Sequence, residues 1–100
     1  MGQLDGQITI ITGAGTGIGR EAALMFAKEG ARLVLSGRRI DPLNAVAEII
    51  KSKGGYAVAR SVDLENGDSA AELGAWALDQ YGQVDVLVNN AGHSSRVRSI

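Results

Sequence analysis

Short apolar runs alternate along the chain with longer stretches in which apolar residues recur every three or four positions. Each run is five residues long, contains mostly apolar or β-branched residues, and lies close to Gly, Asp or Asn. This pattern is typical of short strands. It predicts four of them, at Ile8–Thr12, Arg32–Ser36, Tyr56–Arg60 and Val84–Val88.

The intervening stretches have the spacing of amphipathic helices. The first predicted helix ends at Gly30 and has an apolar face formed by Ile18, Ala22, Met25 and Phe26. The second begins with Asp41 as N-cap and Pro42 at the first helical position, ends at Lys53-Gly54-Gly55, and carries Leu43, Val46, Ala47 and Ile50. The third begins near Asn66–Ser69, ends at Gly82, and carries Ala70, Leu73, Trp76 and Ala77.

The order β-α-β-α-β-α-β predicts an α/β fold with a doubly wound, parallel, Rossmann-type sheet. In such a sheet the strand at Val84–Val88 lies beside the first strand, and we expect it to form an open edge. An open apolar edge is unfavourable. We therefore expect the protein to continue beyond Ile100, with residues 1–100 as the N-terminal portion of a single nucleotide-binding domain.

The composition is that of an ordinary globular protein, with 45% hydrophobic and 21% charged residues and a net charge of −1. This charge balance argues against electrostatic binding of nucleic acid or of an anionic membrane. The chain contains no cysteine, and its N-terminus lacks the pattern of a secretory signal. We expect a cytoplasmic protein whose partners are small molecules.

A glycine-rich segment, Ile11–Gly19, begins at the end of the first strand and opens the first helix. Backbone N–H groups and the helix dipole make such a turn a binding site for phosphate. The spacing is neither G-x-G-x-x-G nor that of a Walker A loop; it is T-G-x-x-x-G-x-G, formed by Thr12, Gly13, Gly17 and Gly19. By itself the segment is also compatible with a tight strand-to-helix connection that binds no ligand.

Three motifs together resemble the short-chain dehydrogenase/reductase family. They are Thr12–Gly19, Asp63-Leu64 and Asn89–Gly92, and they occur in the family's order and spacing. The resemblance extends over essentially the whole chain. It implies the Rossmann-type fold already expected from the alternation of strands and helices.

The resemblance also implies roles for individual residues. The glycine loop would lie under the cofactor pyrophosphate, and Ile18 would border the nicotinamide side; the loop residues concerned are Gly13, Gly15, Thr16, Gly17 and Gly19. Asp63, followed by Leu64, would accept a hydrogen bond from the adenine amino group. The segment after the fourth strand, Asn90, Ala91 and Gly92, would border the ribose, while Asn89 would help to fix the sheet. The alternatives are a turn or capping aspartate at Asp63 and a polar turn without a ligand at Asn89–Gly92.

The residues after the second strand bear on the choice of cofactor. NAD-type sites have Asp or Glu roughly 20 residues past the glycines, where it binds the ribose 2′-hydroxyl. Here Gly37 occupies that place and is followed by Arg38 and Arg39. A guanidinium can pair with a 2′-phosphate, so we expect NADP rather than NAD. The alternative is that both arginines are ordinary surface charges.

We expect no catalytic residue in this chain. The resemblance implies a catalytic Tyr followed four residues later by Lys, with a Ser after the fifth strand. Tyr56 is followed at that distance by Arg60 and Tyr81 by Asp85, so both tyrosines are interpreted as structural. Trp76 is interpreted as helix packing.

Residues 93–95 are His93, Ser94 and Ser95, and we interpret them as the loop beyond the fourth strand. No acid is placed to complete a catalytic arrangement with them. A single His without Cys does not form a metal site. A contact with substrate remains open for these three residues.

The sequence thus predicts an NADP-dependent oxidoreductase acting on a carbonyl or alcohol. The resemblance implies a homo-oligomer, either a tetramer or a dimer. The 100 residues alone, which lack the Tyr-x-x-x-Lys pair, are expected to be inactive. The alternative is a non-catalytic nucleotide-binding or interaction module.

Overall fold

The computed structural model describes residues 2–15, 17–63, 67–89 and 96–99. These form a five-stranded sheet and three helices: β1 (Ile8–Thr12), α1 (Gly17–Lys28), β2 (Arg32–Gly37), α2 (Ile40–Ser52), β3 (Tyr56–Ser61), α3 (Gly67–Tyr81), β4 (Val86–Asn89) and β5 (Arg96–Ser99). The strand order is β3-β2-β1-β4-β5, and the first four are parallel. This confirms the predicted Rossmann-type fold.

The predicted open edge at the fourth strand is wrong. β5 pairs antiparallel with β4, with Val86 opposite Ser99 and Asn89 opposite Arg96. A parallel crossover needs a dozen or more residues, so a strand that follows β4 this soon pairs with it in the antiparallel sense. The segment Arg-Val-Arg-Ser has one apolar residue, so no apolar run marks it as a strand in the sequence.

The core has one layer on each face of the sheet. Helices α1 and α2 cover Ile11, Leu33 and Leu35 on one face, and α3 covers Ile10 and Val34 on the other. The predicted apolar face of α2 is confirmed, because Leu43, Val46, Ala47 and Ile50 are all buried. On α3, Leu73 and Ala77 are buried, and the partly buried Trp76 packs against the same cluster.

The predicted apolar face of α1 is wrong in part. Ile18 is 69% and Met25 62% exposed, while the buried residues of the helix are Gly19 and Ala23. Small residues allow the helix backbone to approach the sheet closely, and they leave no periodic pattern of large apolar side chains in the sequence. Phe26 does pack against the core, as predicted.

The predicted start of α2 is also wrong. The N-cap is Arg39, which makes no side-chain capping bond, so Asp41 and Pro42 are the second and third helical residues. Proline is tolerated there because the first N–H groups of a helix have no partner within the helix. Asp41 still lies in the first turn, where the helix dipole favours a negative charge.

Strand β4 begins at Val86 rather than Val84. At Asp85 the side-chain carboxylate, rather than a backbone carbonyl, accepts a hydrogen bond from the first residue of β1. The Ile8 N–H donates to Asp85 Oδ2 at 2.8 Å, and the Asp85 N–H donates to the Ile8 carbonyl at 2.8 Å. Strands β2 and β3 each extend one residue further than predicted, to Gly37 and Ser61. None of the helices among the described residues is long and apolar enough to cross a membrane.

Candidate cofactor-binding site

The carboxyl ends of the parallel strands meet at one edge of the sheet, and buried hydroxyl groups hold them together. Thr12 Oγ1 donates to the Val88 carbonyl at 3.4 Å and lies 3.2 Å from Asn89 Oδ1, which links β1 to β4. Ser36 Oγ donates to the Ile11 carbonyl at 3.2 Å, which links β2 to β1. In open α/β sheets this is the edge at which ligands bind.

The glycine loop leaves β1 at this edge. Gly13 and Gly17 have φ angles of 62° and 57°, a left-handed conformation that residues with a side chain rarely adopt. The Ala14 N–H between them donates to the Ser36 carbonyl at 3.2 Å and ties the loop to β2. Because Gly17 is the first residue of α1, the loop delivers the N-terminus of that helix to the edge of the sheet.

Gly15 has a packing role that the sequence did not indicate. A Cβ atom at this position would lie 2.8 Å from Pro42 Cβ, closer than such atoms approach. The first turn of α2 therefore packs directly on the glycine loop. At Gly37 a Cβ would lie 3.6 Å from Leu43 Cδ2, an ordinary contact.

Arg38 and Asp63 lie together at the ends of β2 and β3. Arg38 Nη2 is 3.5 Å from Asp63 Oδ1, with the two side chains 61% and 57% exposed. Ser61 Oγ donates to the Arg38 carbonyl at 2.7 Å, and the Val62 N–H donates to the Gly37 carbonyl at 2.8 Å. The sequence singled out Arg38 and Asp63 for separate contacts, whereas the structure brings their charges together.

The remaining predicted site residues fall into two groups. Ile18 and Arg39 are exposed, Ile18 in the first turn of α1 and Arg39 at the N-cap of α2. The others lie outside the described residues; these are Thr16, Leu64, Asn90, Ala91 and Gly92, together with His93, Ser94 and Ser95.

The two tyrosines lie far from this edge. Tyr56 is the first residue of β3, at the opposite end of the strand from Asp63, and its hydroxyl shares a 2.8 Å hydrogen bond with the Tyr81 hydroxyl. Their rings meet edge to face, and the Arg32 guanidinium lies over both. Burial, followed by the interaction with Tyr56, raises the pKa of Tyr81 to about 12, although Arg32 opposes the shift. A phenol with this pKa is a poor proton donor.

Comparison with known proteins agrees with this fold. The family model for short chain dehydrogenase matches residues 7–100. The 7alpha-hydroxysteroid dehydrogenase of Escherichia coli strain K12 is 44% identical over 90 residues, which are 90% of this chain and 35% of that protein. The chain thus spans about a third of the length of this relative.

Two solved structures carry different cofactors. A 7alpha-hydroxysteroid dehydrogenase complexed with NADH and 7-oxo glycochenodeoxycholic acid has a TM-score of 0.85 at 44% identity, over 90% of this chain and 35% of that one. A metagenomic short-chain oxidoreductase in complex with NADP has a TM-score of 0.87 at 41% identity, over 90% and 41%. With the matched family model and the glycine loop at the carboxyl edge of the sheet, these likenesses show that the chain belongs to the short-chain dehydrogenase/reductase family.

Proposed function

We propose that this chain is the NADP-binding part of an oxidoreductase that transfers hydride between the nicotinamide and a carbonyl or alcohol substrate. The observation that carries the cofactor preference is the position of Arg38. It directly follows Gly37, which ends β2 in the place where an NAD-type site has a carboxylate, and its guanidinium lies at the same edge of the sheet as the glycine loop.

The glycine loop is suited to the cofactor pyrophosphate. The left-handed glycines expose backbone rather than side chains, and the loop opens directly into α1. A helix N-terminus presents unpaired N–H groups and a partial positive charge, which favour a phosphate. Within the proposal, Gly13, Gly17 and Gly19 lie beneath the pyrophosphate, with Gly15 and Thr16 in the same loop.

The 2′-phosphate of NADP is assigned to Arg38, with Arg39 as a second cation. The solved relatives include one with NADH and one with NADP, so family membership alone leaves the preference open. Gly37 offers no negative charge to repel a phosphate, and the planar guanidinium of Arg38 can pair with two phosphate oxygens. A tenfold preference requires about 1.4 kcal/mol, within the range of one charge-assisted contact.

The rest of the cofactor is assigned by family resemblance. Asp63, followed by Leu64, would accept from the adenine amino group, and Ile18, 69% exposed, would border the nicotinamide side. Asn90, Ala91 and Gly92 would border the ribose. A carboxylate at Asp63 can meet both the adenine and the Arg38 guanidinium, because it has two oxygens with several acceptor positions.

The hydride would be supplied by the cofactor, and the protein would bind and orient it. We assign no catalytic residue to this chain, because neither Tyr56 nor Tyr81 has the required lysine four residues later and both lie away from the site. The proposal includes inactivity of the 100 residues alone, a cytoplasmic location, and a homo-oligomer of two or four chains.

Charge reversal at Arg38 tests the proposal. We expect NADPH to bind at least about tenfold more tightly than NADH, and Arg38→Asp to abolish or invert that preference. Lys53→Asp makes the same charge change at the C-terminus of α2, near the amino ends of the parallel strands and away from the glycine loop. It should leave the ratio of the two dissociation constants unaltered. An unchanged ratio in Arg38→Asp contradicts the assignment.

A further inference from the structure

Ser61, the last residue of β3, has no role in the assignments above. Its hydroxyl donates to the backbone carbonyl of Arg38 at 2.7 Å. We propose that Ser61 is a positioning residue for NADP selection, which acts by holding the backbone from which the Arg38 side chain extends. This inference rests on the proposed function, since it requires Arg38 to bind the 2′-phosphate.

The contact is part of a two-bond attachment between the ends of two strands. Gly37 pairs with Ser61 in the sheet register, and the Val62 N–H donates to the Gly37 carbonyl at 2.8 Å. The Ser61 hydroxyl then reaches the next carbonyl along, that of Arg38. The last residue of β3 and the residue after it therefore hold consecutive carbonyls at the point where the chain leaves β2.

This attachment is important because Arg38 belongs to neither neighbouring element. Strand β2 ends at Gly37, and the N-cap of α2 is Arg39. The Arg38 side chain is 61% exposed and its ion pair with Asp63 is 3.5 Å long. Exposed pairs of this kind contribute little to stability. The guanidinium extends from residue 38, so its position at the sheet also depends on where the backbone of that residue is held.

A phosphate is bound most strongly when the guanidinium plane is already oriented towards it. Loss of the Ser61 hydroxyl would allow residue 38 to shift and would weaken the contact with the 2′-phosphate. The glycine loop is attached separately, through the Ala14 N–H and the Ser36 carbonyl. The effect should therefore be confined to ligands that carry the 2′-phosphate.

The test measures the binding of 2′,5′-ADP and 5′-AMP by isothermal titration calorimetry. Ser61→Thr and Ser61→Val have nearly the same shape, both suit a strand, and only the threonine retains a hydroxyl. We expect Ser61→Val to weaken 2′,5′-ADP about three- to tenfold relative to Ser61→Thr, as for the loss of one hydrogen bond, with 5′-AMP within about twofold.

Ser52 provides a matched control. Its hydroxyl donates to the Ile49 carbonyl at the same 2.7 Å and is likewise exposed. It lies in the last turn of α2, however, near the amino ends of the parallel strands. Ser52→Ala should leave both dissociation constants unchanged. A shift in Ser52→Ala as large as that in Ser61→Val would overturn the inference.

The outcomes separate this inference from the function on which it depends. If the unmodified protein binds 2′,5′-ADP no more tightly than 5′-AMP, the NADP assignment fails and the inference with it. If Arg38→Ala removes the preference but Ser61→Val retains it in full, the inference alone is overturned. Equal weakening of both ligands in Ser61→Val overturns it too, since that is the result of a merely structural role.

Discussion

Arg38 Nη2 lies 3.5 Å from Asp63 Oδ1, so the cation proposed to bind a phosphate faces the carboxylate proposed to bind adenine. Parallel pairing brings this about, because β2 and β3 end side by side, with Gly37 opposite Ser61. The two residues follow these strand ends. Any negatively charged ligand at Arg38 would therefore also meet the field of Asp63.

The first prediction concerns this competition. Asp63→Asn removes the negative charge but retains an oxygen that can accept from an adenine amino group. We expect 2′,5′-ADP to bind up to about fivefold more tightly, in line with the modest energy of an exposed ion pair, and the gain to shrink at high salt. The measurement is calorimetric titration at low and at high salt.

Glu48→Gln provides the matching control, since Glu48 is exposed and pairs with Lys51 at 3.8 Å on α2. Glu48→Gln should leave the affinity for 2′,5′-ADP unchanged at low and at high salt. Weaker binding of 2′,5′-ADP to Asp63→Asn would show that the carboxylate holds Arg38 in place rather than competing for it.

The second prediction concerns the glycine that opens α1. Gly17 has a φ of 57° and no atom within 4 Å of a Cβ placed on it, so the obstacle to a side chain there is the backbone conformation. We expect Gly17→Ala to lower the free energy of unfolding by about 1–2 kcal/mol. Denaturant unfolding measures the change.

Gly74 offers the opposite case in α3. It too has open space around a Cβ, and its φ is not positive. Gly74→Ala should raise the free energy of unfolding by about 0.5–1 kcal/mol, because alanine loses less entropy than glycine in a helix. If Gly17→Ala leaves the free energy of unfolding unchanged or raises it, the conformational explanation at Gly17 is wrong.

The third prediction follows from the Tyr81 pKa of about 12 in the folded chain, against an ordinary value of 10.0. The unfolded chain loses the phenolic proton first as pH rises. The resulting stabilisation is therefore complete below about pH 10 and is lost between about pH 10 and 12. Thermal unfolding across this range, compared between the protein and Tyr81→Phe, should show a steeper decline with pH in the protein. Parallel declines would contradict the assigned shift.

The sequence predicted the structure best where the apolar residues follow a single repeat, either that of a strand or that of a helix. The first four strands and the buried face of α2 could be predicted because their apolar residues form short runs or recur at helical spacing. The buried face of α1 could not, since Gly19 and Ala23 are buried for their small size. Strand β5 could not either, because its pattern of arginines around one valine has no apolar run.

The candidate site could likewise be predicted from the sequence only in part. The glycine spacing indicated a phosphate loop, but its contact with Pro42 depends on how α2 returns across the sheet. Arg38, Ser61 and Asp63 were visible as separate residues. Their proximity follows from the register between β2 and β3, which the one-dimensional pattern does not contain.

Titration of the unmodified protein with NADPH and with NADH measures the proposed cofactor preference without any substitution. We expect both to bind, with NADPH tighter by at least about tenfold. Equal affinities would contradict the role of Arg38 and leave the glycine loop as a site for either cofactor. Failure of both to bind would contradict the proposed function itself.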